Sequence, residues 1–213
     1  MKNISPLLLI APLALLAACV TPTVAVNPRA NFSSIKRVAV ISFGGAKGDL
    51  AADLMTQSLL AHGADVIERQ RLDSVMKEQS LTGSSAFDPS TARQLGKLLG
   101  VDALFVGTVA ESVPASSYLV SQPQNPRNTT VTQVNGGTVL SEGSVVGMPN
   151  SQLLSTTANV SLISRMVDVQ SGSILWSASM AYEGFDITSA MSAISDAFIS
   201  SLVPIWPGLY KVK

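Results

Sequence analysis

The run Arg37-Val38-Ala39-Val40-Ile41-Ser42-Phe43, followed by Gly44-Gly45-Ala46-Lys47-Gly48 and then Asp49, decides the fold of this chain. A short run rich in β-branched residues predicts a buried strand. Gly44 to Gly48 predicts a turn. Asp49 then reads as the N-cap of a helix over Leu50, Leu54, Met55, Ser58 and Leu59, closed by Gly63 in the left-handed conformation. Val66 and Ile67 make a second short strand. A strand that feeds a helix and returns to a strand is the repeating unit of a sheet covered by helices.

Downstream, Glu68 leads into a helix over Leu72, Val75, Met76 and Gln79. Asp88-Pro89 places a carboxylate at an N-cap and proline at the first helical position, where its missing donor costs nothing. Ala92, Leu95, Leu98 and Leu99 form that helix's apolar face, and Gly100 stops it. Asp102 to Val109 returns as a buried strand. After a long insert, Ala158 to Val169 and Ser173 to Glu183 read as a hairpin around Gln170-Ser171-Gly172. Its second arm puts Ile174, Trp176, Ala178, Met180 and Tyr182 on one face. A last helix runs from about Thr188 to Leu202, with Met191, Ile194, Phe198 and Leu202 in one stripe, until Pro204 ends it. The order β-α-β-α-α-β, insert, β-β, α predicts a single α/β domain with a mixed sheet covered by helices, over residues 36–203, with 204–213 as a tail.

Upstream, Lys2 precedes an apolar run from Leu7 to Leu15, and Leu16-Ala17-Ala18-Cys19 follows. A positive start, a short apolar stretch and small residues before a cleavage point are the parts of a signal peptide. The run, broken by Pro6 and Pro12, falls short of the roughly 20 apolar residues of a membrane-crossing helix. Because it ends at cysteine rather than at an A-x-A site, the segment resembles a bacterial lipoprotein signal. An ordinary secretory signal with a chance cysteine is the other reading. The resemblance implies removal of residues 1–18 and acylation of Cys19 as the mature N-terminus. Several acyl chains anchor a protein where one alone binds marginally. With no Asp at Val20 or Thr21, the resemblance further implies the outer membrane, on its periplasmic side. Val20 to Asn31, with Pro22 and Pro28 and no apolar period, reads as extended chain. Residues 19–35 are therefore expected to form a tether, with a reach of about 40 Å for its extended part at roughly 3.3 Å per residue.

Composition narrows the function classes. The formal net charge is zero and charged residues make up 13% of the chain, about half the usual share. With no basic cluster to follow a phosphate backbone, nucleic-acid binding is not expected. Cys19 is the only cysteine, which excludes an intrachain disulfide and a cysteine-based metal site. Gly44-Gly45-Ala46-Lys47-Gly48 sits where a phosphate-cradling loop would, but it lacks the residue order of either nucleotide-binding motif. His62 is the only histidine, and its place at a helix end suits a cap that complements the dipole. One base with no marked nucleophile makes no catalytic triad. No zinc ligands cluster along the sequence. No catalytic residue, metal or cofactor is expected, and the chain does not read as an enzyme.

Three groups of residues, in this order behind the lipobox, carry a family resemblance. They are Glu68-Arg69 with Leu72 and Glu78-Gln79; then Thr91-Ala92, Leu95-Gly96, Leu99-Gly100-Val101-Asp102-Ala103 and Val106-Gly107-Thr108-Val109; and finally Val167-Asp168-Val169, Ser171-Gly172 and Ile174-Leu175-Trp176-Ser177. Together they resemble the curli production assembly/transport lipoproteins (CsgG-like). That family shares its α/β domain with lipoprotein activators of penicillin-binding proteins and with a flagellum-associated outer-membrane lipoprotein. The motif residues themselves read as structural. Gly107 suits a close approach or bulge, Gly172 a turn, Asp168 hydrogen bonds to turn amides, and Glu68 with Arg69 a strand-to-helix junction.

The insert, residues 112–155, carries only Arg127 and Glu142 as charges, and Pro114, Pro123, Pro126 and Pro149 interrupt it. Asn135-Gly136 between Thr/Val-rich arms predicts a hairpin. In curli-type channels, hairpins inserted here from several subunits close a membrane barrel, whose strands need about 9–11 alternating residues. Thr129 to Val134 is short and polar, and Thr138 to Val146 contains Glu142 and Gly143. A periplasmic hairpin or mobile loop is therefore the expected reading, with membrane insertion as the other. The curli channel also narrows its pore with a longer, aromatic loop where this chain has only Gly44 to Gly48. The resemblance implies a non-enzymatic outer-membrane lipoprotein in assembly, export or anchoring of a surface structure. Its partners would be the membrane, further copies of itself, and envelope or appendage proteins. The alternative is a periplasmic module regulating an envelope enzyme such as a penicillin-binding protein, or a flagellum-associated lipoprotein; the tether is short for reaching across peptidoglycan.

Overall fold

The computed structural model describes residues 21–41, 43–67, 94, 96–121, 130–134 and 151–210. Strands β1 (Thr23–Val26), β2 (Arg37–Val40), β3 (Asp65–Ile67), β4 (Ala103–Val113), β8 (Ala158–Asp168) and β9 (Ile174–Gly184) form one sheet in the order β1-β9-β8-β4-β2-β3. β2 runs parallel to β3 and to β4, while β4–β8, β8–β9 and β9–β1 are antiparallel. The fold is the α/β, mixed-sheet domain that the element order implies. Three further strands, β5 (Ser117–Ser121), β6 (Thr130–Val134) and β7 (Ser151–Ser155), form a small separate sheet in the order β6-β5-β7.

Helices α1 (Gly48–Ala61) and α2 (Ile187–Leu202) pack on one face of the large sheet. Met55 and Leu59 of α1 and Met191, Ile194, Phe198 and Leu202 of α2 are buried there against Val38, Phe105, Leu162 and Met166. Trp176 lies at the centre. Its ring meets Phe105 and Phe198 edge-on at centroid distances of 6.2 and 5.8 Å, and its Nε1 donates to Ser201 Oγ at 3.2 Å. Among the described residues, the second face is covered only in part. The helix end at residues 96–99 seals Ala39, Ile41, Leu104 and Val169. Over β8 that face leaves Ile163 and Arg165 exposed.

Several expectations need correction. The proposed tether is shorter, because Thr23–Val26 pairs with β9 and Phe32 and Ile35 are buried in the core. A four-residue edge strand between prolines is too short to show a period. The proposed tail likewise folds back: Trp206 and Leu209 are buried, and Trp206 Nε1 donates to the Ile35 carbonyl at 3.3 Å. α1 starts two residues earlier than expected, at Gly48 rather than Leu50. Its N-cap is Lys47, held left-handed at φ 64°, and Asp49 lies in the first turn. Ile174 is exposed, whereas Leu175 is buried beside Trp176; a register shift at Met166/Val167 displaces the hairpin's alternation there.

The insert differs as well. β4 continues to Val113, so the sheet runs into the segment read as insert. β6 pairs with β5. Asn135-Gly136 and Thr138 to Val146 fall outside the described residues, as do the helix expected over Leu72 to Gln79 and the Asp88-Pro89 cap.

Candidate functional site

The loop between β2 and α1 is bolted to β4. The Gly44 amide donates to the Gly107 carbonyl at 2.9 Å, and the Val109 amide donates to the Gly44 carbonyl at 2.8 Å. Gly45 has φ +89°, and a β-carbon there would stand 2.2 Å from the Val109 carbonyl oxygen. One on Gly48 would stand 1.8 Å from the Phe43 carbonyl oxygen. These glycines let backbones pack against each other where a phosphate-binding loop would leave a cradle.

The family-motif residues within the described structure also serve the fold. Gly107 lies under the Phe43 ring, which a β-carbon would approach to 2.6 Å. Asp168 accepts from the Ser171 amide at 2.7 Å and from its hydroxyl, and Gly172 turns the chain at φ +72°. Both match the turn chemistry read from the sequence. Asp102 has a role the sequence hid. Its Oδ2 accepts from the Lys36 and Arg37 amides at 2.7 and 3.0 Å, fixing the start of β2 from the strand beside it. Gly96 brings its helix onto Val169, whose methyl a β-carbon would meet at 1.9 Å. Glu68, Arg69 and Cys19 fall outside the described residues.

His62 caps α1 as expected of it. It is buried, and its Nδ1 donates to the Ser58 carbonyl at 2.8 Å. With that nitrogen committed to a carbonyl, no carboxylate can orient the ring through it, as a triad requires. His62 lines a groove of about 690 Å³ between α1 and α2, together with Leu54, Ser58, Ser192, Asp196 and Pro204. A second, polar groove of about 800 Å³ lies beside the β8–β9 turn, bordered by Asn27, Arg29, Asp168 and Gln170. Among the described residues, no three histidine, aspartate, glutamate or cysteine side chains converge as a metal site would. No described helix is long and apolar enough to cross a membrane.

The remaining distinctive feature is where the insert leaves the sheet. β4 and β8 pair to their ends, with Val113 opposite Asn159. The same two chain segments then pair again as β5 and β7, with Ser117 opposite Ser155. The Thr156 amide donates to the Ser116 carbonyl at 2.8 Å, and the Ser116 amide to Thr156 Oγ1 at 3.0 Å, stitching the link between the two pairings. The small sheet is thus a continuation of the central β4–β8 ribbon past one end of the large sheet. β1 runs in the same direction as β8, so its N-terminal residue Thr23 is the end of β1 nearest that exit.

The family model described as "Curli production assembly/transport component CsgG" matches residues 17–112. Its span takes in the first two groups of motif residues and stops short of the third, Val167 to Ser177. No protein of curated function matches the sequence. Solved structures with partial likeness include the PelC dodecamer from Paraburkholderia phytofirmans, 16% identical with a TM-score of 0.44, covering 90% of this chain and 99% of that one. Lipoprotein GNA1162 from Neisseria meningitidis is 18% identical with a TM-score of 0.44, covering 79% and 95% of the two chains. The LpoB C-terminal domain from Salmonella enterica is 14% identical with a TM-score of 0.40, covering 70% and 84%.

Proposed function

We propose that this chain is a non-enzymatic lipoprotein of the bacterial outer membrane, anchored by acylated Cys19, that self-associates to support assembly, export or anchoring of a surface structure. The observation that carries this reading is the match of the curli assembly/transport family over residues 17–112, which joins the lipobox and the first half of the α/β domain in one stretch. The geometry supports it in two ways. The described motif residues are used in packing and turns, as in a scaffold. Among the described residues, the parts free to act on something else are the small sheet, the exposed side of β8 and the outer strand β1, whose four residues are all exposed.

Regulation of an enzyme on the far side of the cell wall fits less well. β1 begins at Thr23, leaving three residues between it and Cys19. That length reaches roughly 10 Å, against the tens of ångströms a wall-spanning tether needs.

Cys19→Ser tests the anchor and the role together. In cells, the variant is expected to lose acylation and signal processing, to leave the outer-membrane fraction and to lose the surface structure or export it supports. Fractionation of the variant with outer membranes as fully as the parent would refute the lipoprotein reading. Loss from the outer membrane with an unaltered cell surface would refute the assembly role.

A further inference from the structure

Phe185 is 80% exposed, the most exposed large apolar side chain among the described residues. It follows Gly184, the last residue of β9, and precedes Asp186, the N-cap of α2. It therefore sits at the end of the large sheet from which the small sheet departs, since Gly184 pairs with Ala158, the first residue of β8. Val113, 47% exposed, ends β4 at the same edge, and Leu154, 55% exposed, lies on β7 beyond it.

Charge is sparse and of mixed sign at this end. Residues 109–121, 151–163 and 179–190 contain Glu111, Glu183 and Asp186 and no lysine or arginine, and Lys47 is exposed on the loop that Gly44 ties to Gly107 and Val109. Lys36, Arg37 and Arg29 belong to the opposite half, around the start of β2 and the β8–β9 turn. A sparsely charged end that exposes an aromatic ring suits the interface of a lipid layer, where aromatic side chains settle at headgroup depth.

Chain length says which surface is in reach. Thr23 pairs with Ser179, five residues before Gly184. Cys19 lies four residues before Thr23, a span of at most about 14 Å. An acylated cysteine keeps its sulfur at the membrane interface, so the bilayer surface can stand no farther than that from Thr23. Five residues of strand at roughly 3.3 Å carry the sheet about 17 Å past Thr23, level with or slightly beyond that surface.

We infer that the end of the sheet bearing Phe185 seats on the bilayer that holds the anchor, with the Phe185 ring in the lipid interface as a second membrane contact. The inference rests on acylation of Cys19. Ring and acyl chains then fix the tilt of the domain, and the small sheet meets the lipid rather than the periplasm. A single phenylalanine ring is too little to hold the domain alone and enough to orient one already tethered.

The full-length lipoprotein carrying Phe185→Cys tests this. Mass spectrometry of the mature protein first reads the state of Cys19; acylation blocks that thiol, so an environment-sensitive fluorophore labels position 185 alone. The protein is reconstituted into phosphatidylcholine vesicles with and without bilayer-embedded quencher. Gln170→Cys, at the exposed turn of the opposite end, is the reference. The expected result is a blue-shifted emission lost to the quencher at 185, and neither effect at 170. Equal, water-like emission at both positions in an acylated protein would overturn the inference and leave the anchor standing. A blue shift present in detergent-free solution and indifferent to the quencher would overturn it too, assigning Phe185 to a contact between copies. An unacylated chain would overturn both the inference and the anchor.

Discussion

A β-carbon added at position 107 would stand 2.6 Å from the Phe43 ring and 2.7 Å from the Ile163 carbonyl oxygen. Backbone cannot retreat as a flexible side chain can, so Gly107→Ala is expected to lower stability by about 1–3 kcal/mol in urea unfolding. An unchanged midpoint would mean that β4 and β8 yield there. Asp186 gives a second test at this scale. Its carboxylate accepts from the Ser189 amide at 2.6 Å, and this bond, with the Ser189 hydroxyl, holds it below the ordinary value of 3.8. A group depressed in the folded state contributes stability above its unfolded value and loses it as pH falls through the folded one. Asp186→Ala should therefore be less stable than the parent at neutral pH, with the gap closing below about pH 3.8. A gap that stayed constant on acidification would contradict the cap. Local chemistry of this kind is legible in sequence: Asp168, Gly172, His62 and Gly63 take the roles their neighbours imply. Asp102 is not legible, because the amides it holds are 65 and 66 residues away. The left-handed Lys47 escapes for another reason: close packing of Gly48 under Phe43, not a capping side chain, sets the start of α1.

At the scale of elements, long periodic segments announce themselves and short or shifted ones do not. The stripe Met191, Ile194, Phe198 and Leu202 predicts α2, and all four are buried. β1 has too few residues to show alternation. β5 and β7 are five residues each and pair across 29 residues of intervening chain, so nothing local marks them as partners. In the hairpin, the shift beside Met166 admits both Leu175 and Trp176 to the core. Trp176 is the keystone of that face, and Trp176→Ala should cost about 3–5 kcal/mol. A loss below 1 kcal/mol would mean that Phe105 and Phe198 close the gap. The insert is expected to behave oppositely. Deleting residues 123–149 removes β6 but leaves β5, β7 and the stitch at Ser116 and Thr156, so the large sheet should keep its unfolding temperature. A cooperative loss of structure would show that the insert carries part of the core.

The whole molecule has two unlike ends. One carries the β8–β9 turn, the polar groove beside it and the basic start of β2. The other gathers the N-terminus of β1, Phe185 and the small sheet. On the proposed reading, acylation of Cys19, four residues before β1, turns that polarity into an orientation, with the small sheet toward the membrane. Self-association has material to work with: among the described strands β1 is at the sheet's edge, and Ile163 is exposed on β8. Low overall charge reduces the repulsion between copies. The sequence carries the lipobox and the α/β core plainly, but the meeting of anchor and insert at one end comes only from strand directions, which no single segment encodes. The mass of the intact lipoprotein in mild detergent, read by light scattering with electron microscopy of the same sample, tests the central claim most directly. A discrete ring of several subunits is the expected result; a clean monomer across the working concentration range would contradict it.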